Sequence, residues 1–210
     1  MITESKVTEI FCIADDFCKE FDTELAKKSV TSTKESPQRR RKRMMSDSEI
    51  ITILLCFHFN SYRNFKHYYL GCVCVQWKHL FPKRFSYNRF IEVMPRCFVA
   101  LTMFLRLVCF GECSGISFVD STCIPVIHNK RQYNMKVFKG IAEKGKSTMG
   151  WYVGFKLHLL CNEKGEILNF VLTKANVDDR NDDVINTLTD KVFGKLYADK
   201  GYISQSLFGK

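Results

Sequence analysis

Apolar residues return at three- and four-residue steps across residues 3–27, with Val7, Ile10, Phe11, Ala14, Phe17, Cys18 and Phe21 on one stripe. That period predicts an amphipathic helix that packs along a single face. A second helix is marked at its start, where Ser46 and Glu49 have the spacing of a capping box just before the almost wholly apolar Ile50–Phe59. Further helices are predicted over 62–70 and 86–94. Pro95 ends or kinks the latter, and another apolar helix covers roughly 96–110. Gly111-Glu112-Cys113-Ser114-Gly115 then breaks the helical period.

Beyond that break the period falls to two. Ile116–Asp120 reads as a short strand ending in a carboxylate, and Trp151–Cys161 alternates strictly, with Trp151, Val153, Phe155, Leu157, Leu159 and Cys161 facing one way. Asn162–Glu166 is a turn and Ile167–Thr173 returns as a second strand, which makes a hairpin. Asp178–Val192 has a helical pattern, and Asp178, Asp179, Asp182 and Asp183 favour its N-terminus. Lys195–Asp199 is another short strand that ends in Asp. The order is helices first, then β–ββ–α–β, which predicts an all-helical domain over 1–112 and an α/β domain with a mixed sheet over 113–210.

Composition narrows the function classes. With 210 residues, 46% hydrophobic and 26% charged, the chain is too long and apolar for a disordered tail. The longest apolar run, Cys97–Phe110, is broken by Thr102 and Arg106 and is too short to span a bilayer. MITESKVTEIF lacks the basic start and apolar core of a secretion signal, so a cytoplasmic protein without a membrane partner is expected. The ten cysteines form no Cys-x-x-Cys pair, which predicts small buried thiols rather than a metal site.

The net charge of +10 is unevenly spread. Residues 1–30 carry −3, residues 31–150 carry +13, and residues 151–210 balance to zero. One dense part is Arg39-Arg40-Arg41-Lys42-Arg43, within a linker over 29–45. Consecutive cations repel one another unless an anion compensates, so phosphate contact is expected there. The other part holds Lys130, Arg131, Lys136, Lys139, Lys144 and Lys146, interleaved with Tyr133, Phe138 and glycines, a composition suited to tracking a nucleic-acid strand.

Two constellations could carry chemistry. Gly140-Ile141-Ala142-Glu143-Lys144-Gly145-Lys146-Ser147 spells a P-loop, but that loop needs a helix at its exit, and the alternating strand from Trp151 follows instead. A P-loop NTPase is therefore the minor alternative. The second constellation is Asp120 with Asp199. Each alone could be a turn-forming Asp. Both close a short apolar strand, however, and the carboxyl ends of neighbouring strands form the usual crevice of such sheets. Two carboxylates meeting there make a hard-oxygen site for Mg²⁺. Lys156 and His158 share a strand face, either toward substrate or toward solvent, and His58 and His67 read as core or surface residues.

Asp120-Ser121-Thr122, Lys136–Ala142, Lys144–Ser147, Gly154-Phe155-Lys156-Leu157-His158, Asn176-Val177-Asp178-Asp179-Arg180 and Asp199-Lys200-Gly201-Tyr202 together resemble a bacterial insertion-sequence transposase of the DDE superfamily, closest to the branch numbered nine-eighty-two. The resemblance implies an incomplete ribonuclease-H-like catalytic domain, with a basic insertion over 121–150 and Asp120 and Asp199 as its first and second catalytic and metal-binding acids. It implies Mg²⁺ or Mn²⁺ as cofactor, and DNA transposition and recombination through end cleavage and strand transfer. The partners it implies are double-stranded element ends and target DNA in a homo-oligomeric complex. Arg39–Arg43, Lys130, Arg131, Lys136, Lys139, Lys144, Lys146 and Lys156 become the expected DNA contacts, with the helical domain serving DNA binding or assembly. The family's third acid, a Glu on a helix beyond a further strand, has no counterpart, since only 11 residues follow Asp199 and none is acidic. The expectation is a truncated transposase that binds DNA but joins it poorly; the alternative is a non-catalytic DNA-binding remnant or inhibitor of intact enzyme. The Lys195–Asp199 strand is then expected to expose an edge, which favours marginal stability or aggregation.

Overall fold

The computed structural model describes residues 2–29, 43–134 and 136–202. Within it the chain divides into two compact units, Met1–Val108 and Cys109–Lys210.

The first unit is built from helices α1 (Glu4–Ser29), α2 (Asp47–His58), α3 (Phe65–Tyr68), α4 (Tyr87–Val93) and α5 (Phe98–Phe104). The stripe read along α1 is the buried one: Val7, Ala14 and Phe17 enter the core, and Phe17 meets Phe104 edge-on at 5.3 Å. The capping box forms as expected, with Ser46 Oγ accepting from Glu49 N and Glu49 Oε2 accepting from Ser46 N. Two helices differ in extent from the sequence pattern. The segment read as 62–70 starts at Phe65, because Asn64 caps it, and continues as a π-helix from Tyr69 to Gln76. The helix read over 96–110 opens as a 3-10 turn, Met94–Cys97, around Pro95, whose fixed φ and missing N–H suit a first turn. Buried Tyr68 and Tyr69 donate their hydroxyls to the carbonyls of Ile53 (3.0 Å) and Phe85 (2.8 Å), so neither polar tip is stranded.

The second unit is a mixed sheet with one helix. Its strands are β1 (Ile116–Ile127), β2 (Glu143–Ser147), β3 (Gly150–Asn162), β4 (Ile167–Lys174) and β5 (Lys195–Ala198), with α6 (Asp182–Thr189) before β5. The order across the sheet is β2-β3-β1-β5, and β4 also pairs with β3. All pairs are antiparallel except β1 with β5, which is parallel. The unit is thus α+β, entered after an all-helical half.

Here the structure departs from the sequence reading in three places. β1 does not stop at Asp120, because β3 is long enough to pair Ser121 through Pro125 with His158 through Gly154. The segment read as a basic insertion, 121–150, therefore begins as strand and also contains β2, which has no apolar alternation because it lies at a sheet edge. Gly145 permits that pairing: a Cβ there would collide with the Ala175 carbonyl. Helix α6 is shorter than Asp178–Val192, since Asn181 caps it by accepting from Asp183 N and Val184 N. Asp178 and Asp179 stand in the preceding turn.

The sheet's two faces differ. Val119 and Leu160 pack with Val184 and Leu188 of α6 and with Tyr202. Ile116, Phe118, Leu172 and Tyr197 are exposed, with Phe118 stacked on Tyr197 at 5.3 Å. All four residues of β5 are exposed as well. The ten cysteines are free thiols: burial pushes Cys56 and Cys97 up to about 12, whereas Cys12 and Cys109 are exposed, against the expectation of burial throughout.

Candidate active site

Strands β1 and β5 run parallel in the register Ile116–Lys195, Ser117–Leu196, Phe118–Tyr197 and Val119–Ala198. One further step along both strands reaches Asp120 and Asp199. The last pair is Val119 with Ala198, so Asp120 and Asp199 are the next residues on two adjacent backbones, about 4.8 Å apart as neighbouring strands are. β5 stops there while β1 continues beside β3, leaving Asp120 on a stretch of β1 with an open flank. Both residues are exposed to solvent. Ser121 N donates to Asp120 Oδ1 at 2.7 Å, and Tyr202 N donates to the Asp199 carbonyl at 2.9 Å.

The turn after Asp199 is anchored in the core by Tyr202, which is 3% exposed. Its hydroxyl lies 2.8 Å from His158 Nδ1, and His158 Nε2 lies 3.1 Å from Thr173 Oγ1. Thr173 Oγ1 donates to the Lys156 carbonyl, so the consistent arrangement is a neutral imidazole that donates from Nε2 and accepts the tyrosine proton at Nδ1. Burial pushes the Tyr202 phenol up to about 12, and a hydrogen bond with Ser121 works the other way. His158 is fully buried, and that burial lowers its pKa; Asp179 opposes the shift and Lys156 adds to it. Of the two alternatives for His158, toward substrate or toward solvent, the solvent one is excluded: Tyr202, Thr173 and Asp179 surround the ring.

Asp179 belongs to this neighbourhood. Lys156 Nζ lies 2.9 Å from its Oδ1, and His158 Nδ1 lies 3.8 Å from the same oxygen. Lys156 also donates to the Val177 carbonyl at 2.9 Å, so its charge is already engaged inside the protein. The sequence pattern puts Asp179 at a helix start and gives Tyr202 no role; the structure brings both to His158. The usable signal is spacing: Tyr202 follows Asp199 by three residues, a single turn closed by the Tyr202 N–H on the Asp199 carbonyl.

The remaining cations divide by region. Lys130 and Arg131 form an exposed 3-10 turn after β1, Lys136 and Lys139 are exposed in the loop before β2, and Lys144 and Lys146 are exposed on β2. Arg43 pairs with Asp47 at 2.7 Å. Arg39, Arg40, Arg41 and Lys42 lie outside the described residues. The letters of the P-loop pattern end inside β2, and the chain passes to β3 rather than to a helix. Among the described residues no group of three or more His, Cys, Asp or Glu is arranged to hold a metal ion. The donor set at the strand ends is two water-exposed carboxylates, which suits Mg²⁺, an ion that keeps several waters and takes one or two carboxylates beside phosphate oxygens.

Fold and site together give an α+β unit with an aspartate after each of two adjacent strand segments and exposed cations on β2. The family model of a transposase DDE domain matches residues 110–210 and supports a DDE transposase. Proteins of that family act in DNA transposition and recombination, and the family is one of DNA phosphoryl-transfer enzymes that generally use divalent metals. No curated protein and no solved structure matches the chain. Among the described residues no helix is long and apolar enough to cross a membrane.

Proposed function

We propose that the chain is the transposase of a bacterial insertion sequence, of the branch numbered nine-eighty-two, acting on element ends and target DNA in the cytoplasm as a homo-oligomer. Its sheet unit is ribonuclease-H-like, and Asp120 and Asp199 are its metal-holding acids. The observation that carries this reading is the shared register of β1 and β5, whose last pair, Val119 with Ala198, immediately precedes the two aspartates. Further support is the central β1, flanked by antiparallel β3 and parallel β5.

A divalent ion bound there supplies Lewis-acid activation of the attacking oxygen and stabilisation of the leaving one. The protein's own part is positional. The Ser121 N–H orients Asp120, Tyr202 fixes the turn that follows Asp199, and the β2 and linker cations, Arg39–Arg43 included, take phosphates without reading sequence. The helical unit serves DNA binding or assembly.

Manganese titration followed by electron paramagnetic resonance tests the acid pair. One Mn²⁺ site is expected, and Asp120→Asn or Asp199→Asn should each remove it. An identical titration in both variants would sink the assignment.

A further inference from the structure

Beside the turn that carries Asp199 lies a cavity of about 450 Å³, walled by Lys144 and Lys146 of β2, Trp151 and Lys156 of β3, Arg180 of the turn before α6, and Gly201. Its volume falls within the roughly 300–1,000 Å³ of small-ligand sites. Trp151 is 56% exposed, whereas the chain's other tryptophan, Trp77, is 4% exposed in the helical core. The Lys144 and Lys146 ammonium groups lie 4.9 and 5.8 Å from the centre of the Trp151 ring. Asn129 donates to the Trp151 carbonyl and pins the backbone there. The cavity depends on Gly145, which lets β2 close against Ala175 and brings both lysines toward Arg180.

We infer that this cavity receives one unpaired nucleotide of a single DNA strand, with its base against the Trp151 indole and its phosphates on Lys144, Lys146 and Arg180. Four cations line the wall against two acids, Asp178 and Asp179, and Asp179 is already neutralised by Lys156 at 2.9 Å. The excess charge selects an anion. An exposed indole between lysines selects a flat π-system, because cation and aromatic face act together on a nucleotide. A base stacked inside a duplex offers only its edges, so reaching the indole requires an unpaired nucleotide. The inference rests on the DNA-processing role of the same unit and adds the form of DNA it holds.

Tryptophan emission reads the proposal directly, since only Trp151 is accessible to a stacking base. In metal-free buffer, a single-stranded oligonucleotide should quench emission, and a blunt duplex of the same length should not. Trp151→Ala should abolish the quench and weaken single-strand binding, followed by anisotropy, roughly five- to a hundredfold. Trp151→Phe should bind within a few-fold of the wild type, which guards against a variant that fails to fold. Gly145→Ala should weaken binding as Trp151→Ala does. A strand with an abasic site at each position should bind more weakly than the ordinary strand. Equal binding of the abasic strand, equal quenching by the duplex, or undiminished affinity in folded Trp151→Ala would each overturn the proposal. Asp120→Asn should quench like the wild type, so loss of the metal assignment leaves this result intact.

Discussion

The helical unit and the sheet unit solve burial in opposite ways. Among the described residues the first gathers 19 buried apolar side chains into one cluster, and the second gathers five. The sheet unit completes its interior with polar groups, since Ser117, His158 and Asn162 are all buried there. A buried polar group stabilises only while its partners hold, whereas an apolar contact has no such condition. The helical unit is therefore held by volume, and the sheet unit by a few specific hydrogen bonds around its acids. An open strand edge and exposed carboxylates suit chemistry on a polymer, and they leave less surface for a core.

The sharpest way to break that contrast is to remove volume from the first unit. Phe90 is fully buried and sits 4.6 Å from Tyr69, ring to ring. Phe90→Ala should cost about 3–5 kcal/mol, read by chemical denaturation with Trp77 emission as the probe. Phe118→Ala, on the exposed sheet face, should change stability by no more than about 0.5 kcal/mol. Comparable losses in the two variants would mean that the open sheet face carries as much packing as the helical core.

A smaller effect tests the polar side. Tyr202→Phe keeps the ring and removes the hydroxyl 2.8 Å from His158 Nδ1, which leaves a buried acceptor unpaired. The expected cost is about 1–3 kcal/mol in denaturant titration. A neutral result would show that the hydroxyl contributes nothing to holding the turn after Asp199.

The same contrast explains what could be read in the sequence. Helical periodicity and the Ser46–Glu49 box are local signals, and α1, α2 and α4 follow them closely. The alternation of Trp151–Cys161 likewise marked β3. What escaped was non-local. β1 is long only because β3 supplies partners beyond Asp120, and β2, with the sequence Glu143-Lys144-Gly145-Lys146-Ser147, is a strand only because Gly145 lets it approach Ala175. Asp120 and Asp199 could be proposed as a pair because both end an apolar run. The involvement of Asp179, His158 and Tyr202 depends on three separate segments meeting, and no local pattern encodes that.

The finest test is a titration. Burial holds the His158 pKa below its ordinary value near 6.5, against the pull of Asp179. In the unfolded chain the imidazole recovers that ordinary value, about 6.5. Below it the unfolded state binds a proton that the folded state refuses, so stability is complete above about pH 6.5 and declines as pH falls toward the lowered folded value. The groups facing the ring are Asp179, Lys156, Tyr202 and Thr173. The unfolding midpoint of the wild type should fall between about pH 7.5 and pH 5.5. His158→Gln, less stable at every pH through its altered hydrogen bonds, should lose most of that slope. An equal slope in the variant would assign the pH dependence to other groups and remove His158 from the centre of the polar core.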